Sequence, residues 1–150
     1  MTKNRRPVLL SLAALIPAAA VLSGCSIVDE VLYHERSVEF ETAAELTTGW
    51  AGSAPWVPDD ATDIRLREKT EGDVATIMLT SAETELDPAV CVGVERRSVP
   101  VFAVEEAPDV FKLDEVQACG DWAVVPAAGG WFGWTPNHPD EQAESPSAAG

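Results

Sequence analysis

The chain has 150 residues, of which 10 are Lys or Arg and 25 are Asp or Glu, giving a formal charge of −15 at pH 7. That length suits one compact domain and is short for two. A hydrophobic share of 46% excludes a wholly disordered acidic chain, and the composition excludes collagen-like, coiled-coil and polytopic membrane proteins.

The charge is unevenly placed. Lys3, Arg5 and Arg6 precede residue 25 and every acid follows it, so without the first 24 residues 7 basic groups face 25 acidic ones, a charge of −18. A surface that negative repels phosphate backbones and anionic headgroups, which excludes nucleic acid as a partner.

Residues 1–6 form a basic start, and residues 8–22 form an apolar run interrupted by Ser11 and Pro17. The run is shorter than the roughly 20 residues a membrane span needs and fits the apolar part of a secretory signal peptide. It ends in Leu22-Ser23-Gly24-Cys25. These four residues resemble the lipobox of bacterial lipoproteins and match it at each position. The resemblance implies cleavage between Gly24 and Cys25 and a thioether link from Cys25 to diacylglycerol. It also implies that residues 1–24 are a lipoprotein signal peptide and that the membrane is a partner through the acylated Cys25. Two acyl chains anchor stably where one is marginal. Arg5-Arg6 is similar to a twin-arginine export signal, although the following Pro-Val-Leu-Leu matches it only loosely. The Ala-rich, Lys-poor and Asn-poor composition resembles that of small lipoproteins of high-GC Gram-positive bacteria.

Setting Cys25 aside leaves Cys91 and Cys119. An even pair in an exported domain is most simply a disulfide. A metal site or redox pair is less well supported, because there is no Cys-x-x-Cys and His34 and His138 are distant in sequence. Closing a loop of about 29 residues is worth roughly 3.5 kcal/mol in the chain-entropy picture.

In residues 26–37, Ile27, Val28, Val31 and Leu32 can line one side of a short helix, and the segment is read as membrane-proximal. A second helix is expected over 38–49, stopped by Gly49. Residues 54–58 are extended, since each Pro disfavours helix in the residue before it. In 64–69, Ile64 and Leu66 alternate with Arg65 and Arg67, and 74–81 is β-branched and nearly uncharged, so the two predict a β-hairpin. Asp87-Pro88 opens a turn. Residues 98–104 read as strand, while 109–118 fit loop or strand. Residues 120–125 and 131–135, around Gly129-Gly130, predict a second hairpin. Residues 136–150 have the composition of a disordered acidic tail. The expected fold is therefore a small single α+β domain over 38–135, with an N-terminal helix, antiparallel β-hairpins and one disulfide.

The candidate chemistry is sparse. Five tryptophans invite glycan stacking, with Trp131, Trp134 and Trp122 on the last hairpin as the candidate ligand-binding residues. Gly133 leaves space beside Trp131 that either a ligand or another core side chain would fill. A domain with few Leu and Ile also needs its aromatics in the core. Asp59, Asp60 and Asp63 cluster, but in ordinary turn chemistry and without an EF-hand pattern. Among 25 acids, any one pair says little about glycoside hydrolysis. Gly-x-Ser-x-Gly, Ser-x-x-Lys and His-Glu-x-x-His are all missing. No catalytic residue, cofactor or metal is assigned. The functional expectation is a lipid-anchored, extracytoplasmic, non-enzymatic binding or accessory module for an envelope protein or glycan. The alternative is a small envelope hydrolase that uses a carboxylate pair.

Overall fold

Seven strands, β1 (Glu35–Thr42), β2 (Thr62–Lys69), β3 (Ala75–Thr80), β4 (Val92–Glu95), β5 (Glu115–Cys119), β6 (Trp122–Ala127) and β7 (Gly130–Thr135), lie side by side in the computed structural model, which describes residues 34–146. They form one sheet in the order β1-β2-β3-β7-β6-β5-β4, and all six neighbouring pairs are antiparallel. Two short helices, α1 (Ala43–Gly49) and α2 (Pro139–Glu144), complete a small single domain that is mostly β.

Both faces of the sheet are covered. On one, Ile64 and Leu66 of β2, Ile77 and Leu79 of β3, Trp131 of β7 and Trp122 and Val124 of β6 pack under Leu46 of α1 and Trp50 and Trp56 of the following loop. On the other, Phe132, Trp134, Val125, Val116 and Val94 pack under Val104, Val110 and Leu113 of the long segment 96–114, termed the strap. The first five residues of β3 are buried, which explains why that run is nearly uncharged in sequence.

The two hairpins form as the alternation predicts. β2 and β3 pair through Arg65–Met78, Leu66–Ile77 and Arg67–Thr76. β6 and β7 close through Ala127–Gly130, with Gly129 at φ 74 in the turn. Cys91 and Cys119 are joined by a disulfide. They sit one step beyond the Val92–Ala118 pair of β4 and β5, with Cα atoms 4.3 Å apart, so the bond extends the ladder across two strands.

Other expectations are corrected. Residues 38–42, expected as helix, belong to β1. Val38, Phe40 and Thr42 alternate with Glu39 and Glu41 and pair with Leu66, Ile64 and Thr62, so the two-residue period outweighs helix propensity. Helix begins only at Ala43, where Thr42 accepts the Glu45 N–H at 3.2 Å and Glu45 accepts the Glu41 N–H at 2.9 Å. The domain boundary set at residue 38 falls inside β1, and any helix over 26–33 lies outside the described residues. Residues 98–104, expected as strand, are irregular.

The reason for that irregularity corrects the tail as well. Residues 136–146 are ordered, with α2 capped by His138, whose Nδ1 accepts the Asp140 N–H at 3.1 Å. Glu141, 1% exposed, reaches back from α2 and accepts from the N–H groups of Arg97, Ser98 and His138 and from the Ser98 hydroxyl. Those backbone donors are thereby withheld from a ladder, and Pro100 has none to give. A buried carboxylate is tolerable when it is hydrogen-bonded to this extent. Glu141→Gln turns an acceptor into a donor among donors and is expected to cost about 2 kcal/mol of stability, read as a lower urea midpoint. An unchanged midpoint would show that the buried carboxylate of Glu141 contributes nothing to the fold's stability.

Candidate functional site

Charge alternates along β1 and β2, but the two ends of these strands treat it differently. Near the start of β1, Glu35 pairs with Arg67 at 2.7 Å and Arg36 pairs with Glu68. The other Glu68 oxygen accepts the Trp50 indole N–H at 2.7 Å. The Arg67 guanidinium also lies 4.9 Å from the centre of the Phe102 ring, which ties the strap to the sheet. Farther along, Glu106 of the strap pairs with Arg65 at 3.1 Å. Beyond it, Glu39 and Glu41 of β1 and Asp63 of β2 form no ion pair among the described residues.

These groups line a groove of about 1180 Å³, whose walls come from β1, β2, the end of β3, Glu45 of α1, Glu106 of the strap and the β6–β7 turn. Five carboxylates, Glu39, Glu41, Glu45, Asp63 and Glu106, face it with one cation, Arg65. Asp63 is placed by a bulge, since the β2–β3 register slips between Thr62 and Arg65, and its φ of 49 is left-handed. Bulges of this kind re-aim one side chain. Glu106 is also left-handed, at φ 65. Two other clefts carry mixed charge. One holds Arg36 and Lys69 with Glu68, Asp73 and Asp121; another holds Arg65 and Arg67 with Glu39 and Glu105.

The groove was not singled out in the sequence, because its carboxylates come from positions 39 to 106 and no local motif joins them. Of the residues singled out in the sequence, Asp63 lines it, whereas the candidate tryptophans go elsewhere. Trp131, Trp134 and Trp122 are 4%, 1% and 3% exposed, so their ring faces are covered by protein. Their indole N–H groups donate to the Glu83 carbonyl, the Ser98 hydroxyl and the Ser53 carbonyl. The space that Gly133 leaves is taken by Trp56, since a Cβ there would lie 2.5 Å from Trp56 Cζ2. Trp56 in turn stacks at a tilt on Trp122, with centroids 5.7 Å apart.

The three early aspartates diverge. Asp60 accepts from the Ser81 hydroxyl at 2.6 Å and the Ala82 N–H at 2.9 Å, while Asp63 lines the groove. Among the described residues, no three His, Cys, Asp or Glu side chains are grouped to hold a metal ion. The Ser81 hydroxyl and the Ala82 N–H hold the Asp60 carboxyl below its ordinary value. A hydrogen bond and the charge of Lys112 do the same for Asp109. A general acid for glycoside hydrolysis needs the opposite shift. Cys25 lies outside the described residues.

Compared with protein-family models, with curated proteins and with solved structures, the chain gives no match.

Two outcomes follow from this packing. Gly133→Ala is expected to push Trp56 out of its seat and lower stability by about 1–3 kcal/mol, measured by urea unfolding. A wild-type midpoint would mean that the indole yields freely. Because the folded-state value of Asp60 is depressed, its contribution is complete above the ordinary carboxylate range, about pH 4, and is lost as pH falls through the lowered value. Asp60→Asn should therefore flatten the acid limb of stability against pH below about pH 4. A limb as steep as in the wild type would place the acid sensitivity elsewhere.

Proposed function

We propose that the chain is a membrane-anchored, extracytoplasmic lipoprotein whose domain acts as a non-enzymatic binding or accessory module for a partner in the cell envelope. The observation that carries the anchoring is Leu22-Ser23-Gly24-Cys25 at the end of the apolar run. In this reading residues 1–24 are removed and Cys25 carries the lipid. The Cys91–Cys119 disulfide supports an oxidising compartment, where such bonds persist. The charge of −18 left after residue 24 supports a domain kept off the anionic membrane surface and lifted into the envelope space. A binding role is favoured over hydrolysis because the cleft that gathers the most carboxylates among the described residues is an open groove in which Glu39, Glu41, Glu45, Asp63 and Glu106 are all exposed.

Cys25→Ala tests the anchor. The wild-type protein should fractionate with membranes and carry the mass of a diacylglyceryl group on a chain that begins at Cys25. The variant should be released or should retain residues 1–24. A variant with wild-type size and full membrane retention would overturn the lipoprotein reading.

A further inference from the structure

We infer that residues 136–146 are a detachable clasp, which lifts off as a unit while the sheet stays folded, and that the cradle it vacates at the start of the strap takes an acidic peptide in its place. The clasp is held by polar contacts. Of its residues only Glu141 and Ser145 are buried, and none of its side chains belongs to either apolar core. Glu141 sits on the N–H groups of Arg97 and Ser98 and on the Ser98 hydroxyl. Asp140 accepts from the Arg97 guanidinium at 3.0 Å. The Asn137 side-chain amide donates to the Gly120 and Trp122 carbonyls at 2.9 and 3.1 Å, and the Ser145 hydroxyl accepts the Gly120 N–H at 2.7 Å. Apolar burial supplies most of a fold's stability, whereas a hydrogen bond exchanged with water adds little net. A segment held by hydrogen bonds alone is a low-stability unit that opens ahead of global unfolding.

The cradle is held in place without the clasp. The Ser98 hydroxyl accepts the Trp134 indole N–H at 2.9 Å, and Trp134 is buried in the sheet. Arg96 gives its backbone N–H to the Asp114 carbonyl at 2.8 Å and its guanidinium to the Leu113 and Ser98 carbonyls. Two adjacent N–H groups, a hydroxyl and the Arg97 guanidinium are therefore still aimed at one place when the tail leaves. They match two neighbouring carboxylates, which is how Asp140-Glu141 fills them. The tail is tethered at high effective concentration, and the negative charge of the domain repels other acids at a distance, so the clasp is closed by default.

Native-state hydrogen exchange on the full chain reads the opening. The N–H groups of Arg97, Ser98, Gly120 and Asn137 should share one protection factor, about tenfold or more below those of β3 and β7. Equal protection in clasp and sheet would mean that the tail leaves only with global unfolding, and would overturn the inference.

The cradle is tested in a full-length variant carrying Asn137→Ala, Asp140→Ala and Glu141→Ala. It is titrated with the peptide of residues 136–146, following the amides of Arg97, Ser98 and Gly120. The peptide should shift these amides. It should bind the wild-type chain, whose cradle is filled, about tenfold or more less tightly, and a peptide with Glu141→Gln should lose about tenfold on the variant. No shift in the variant, equal binding by the two chains, or equal binding of the two peptides would overturn the site. A variant whose sheet has lost its amide dispersion would show that the tail is part of the cooperative fold, and would overturn the clasp.

Discussion

Four indole N–H groups hold the loops onto the sheet. The sheet has two apolar faces and, among the described residues, only two short α-helices and one 3-10 turn (Val110–Lys112) to cover them, so most of the covering layer is irregular chain. Irregular chain brings unpaired backbone groups with it, and these need partners where they approach a core. Trp122 donates to the Ser53 carbonyl and Trp131 to the Glu83 carbonyl, fixing the two loops that cover the helix face. Trp134 donates to the Ser98 hydroxyl, fixing the start of the strap on the other face. Trp50 donates to Glu68 and closes the end of α1 onto β2. Each indole combines a large buried area with one donor at its rim, which suits it to join a sheet to a loop. Trp56 differs: its N–H has no acceptor among the described residues, and its ring fills the space over Gly133.

The seven basic residues after position 24 are also used sparingly. Arg65 and Arg67 rise from β2 to meet the strap at Glu106 and Ala103. Arg96 reaches the Leu113 carbonyl at 2.8 Å and so joins the two ends of the strap. Arg97 pairs with Asp140 of α2 at 3.0 Å. The exposed pairs among these are worth little individually. Their effect is positional, because they join the strap to β2, to its own far end and to α2 at defined points.

Much of the sheet was legible because its signal is local. The alternation of Ile64 and Leu66 with Arg65 and Arg67, and the aromatic runs around Gly129-Gly130, determine their own pairing partners within a few residues. β1 was misread because Ala43, Ala44, Glu45 and Leu46 follow it without a break and extend a helical pattern backwards over 38–42. Only the partner strand β2, 20 or more residues away, shows which period applies. The strap and α2 were illegible for a related reason. Glu141 sits in a stretch whose composition reads as disordered, and its four donors lie at positions 97, 98 and 138. Nothing within a local window marks one glutamate among many as the one that is buried. The disulfide was legible by count, but its cross-strand position was not.

The fold also separates the two ends of β1 by role. Glu35 is the end nearer Cys25 along the chain, and there the charges are paired: Arg67 with Glu35, and Arg36 with Glu68 and through it Trp50. Six residues on, at Glu41, the strand has advanced about 20 Å, and the carboxylates stand unpaired beside a bulge that turns Asp63 into the same groove. One strand pair thus carries both patterns: where β1 starts, each carboxylate of the two pairs meets a guanidinium, and where it ends, Arg65 is matched to Glu106 and leaves Glu39, Glu41 and Asp63 without a cation among the described residues.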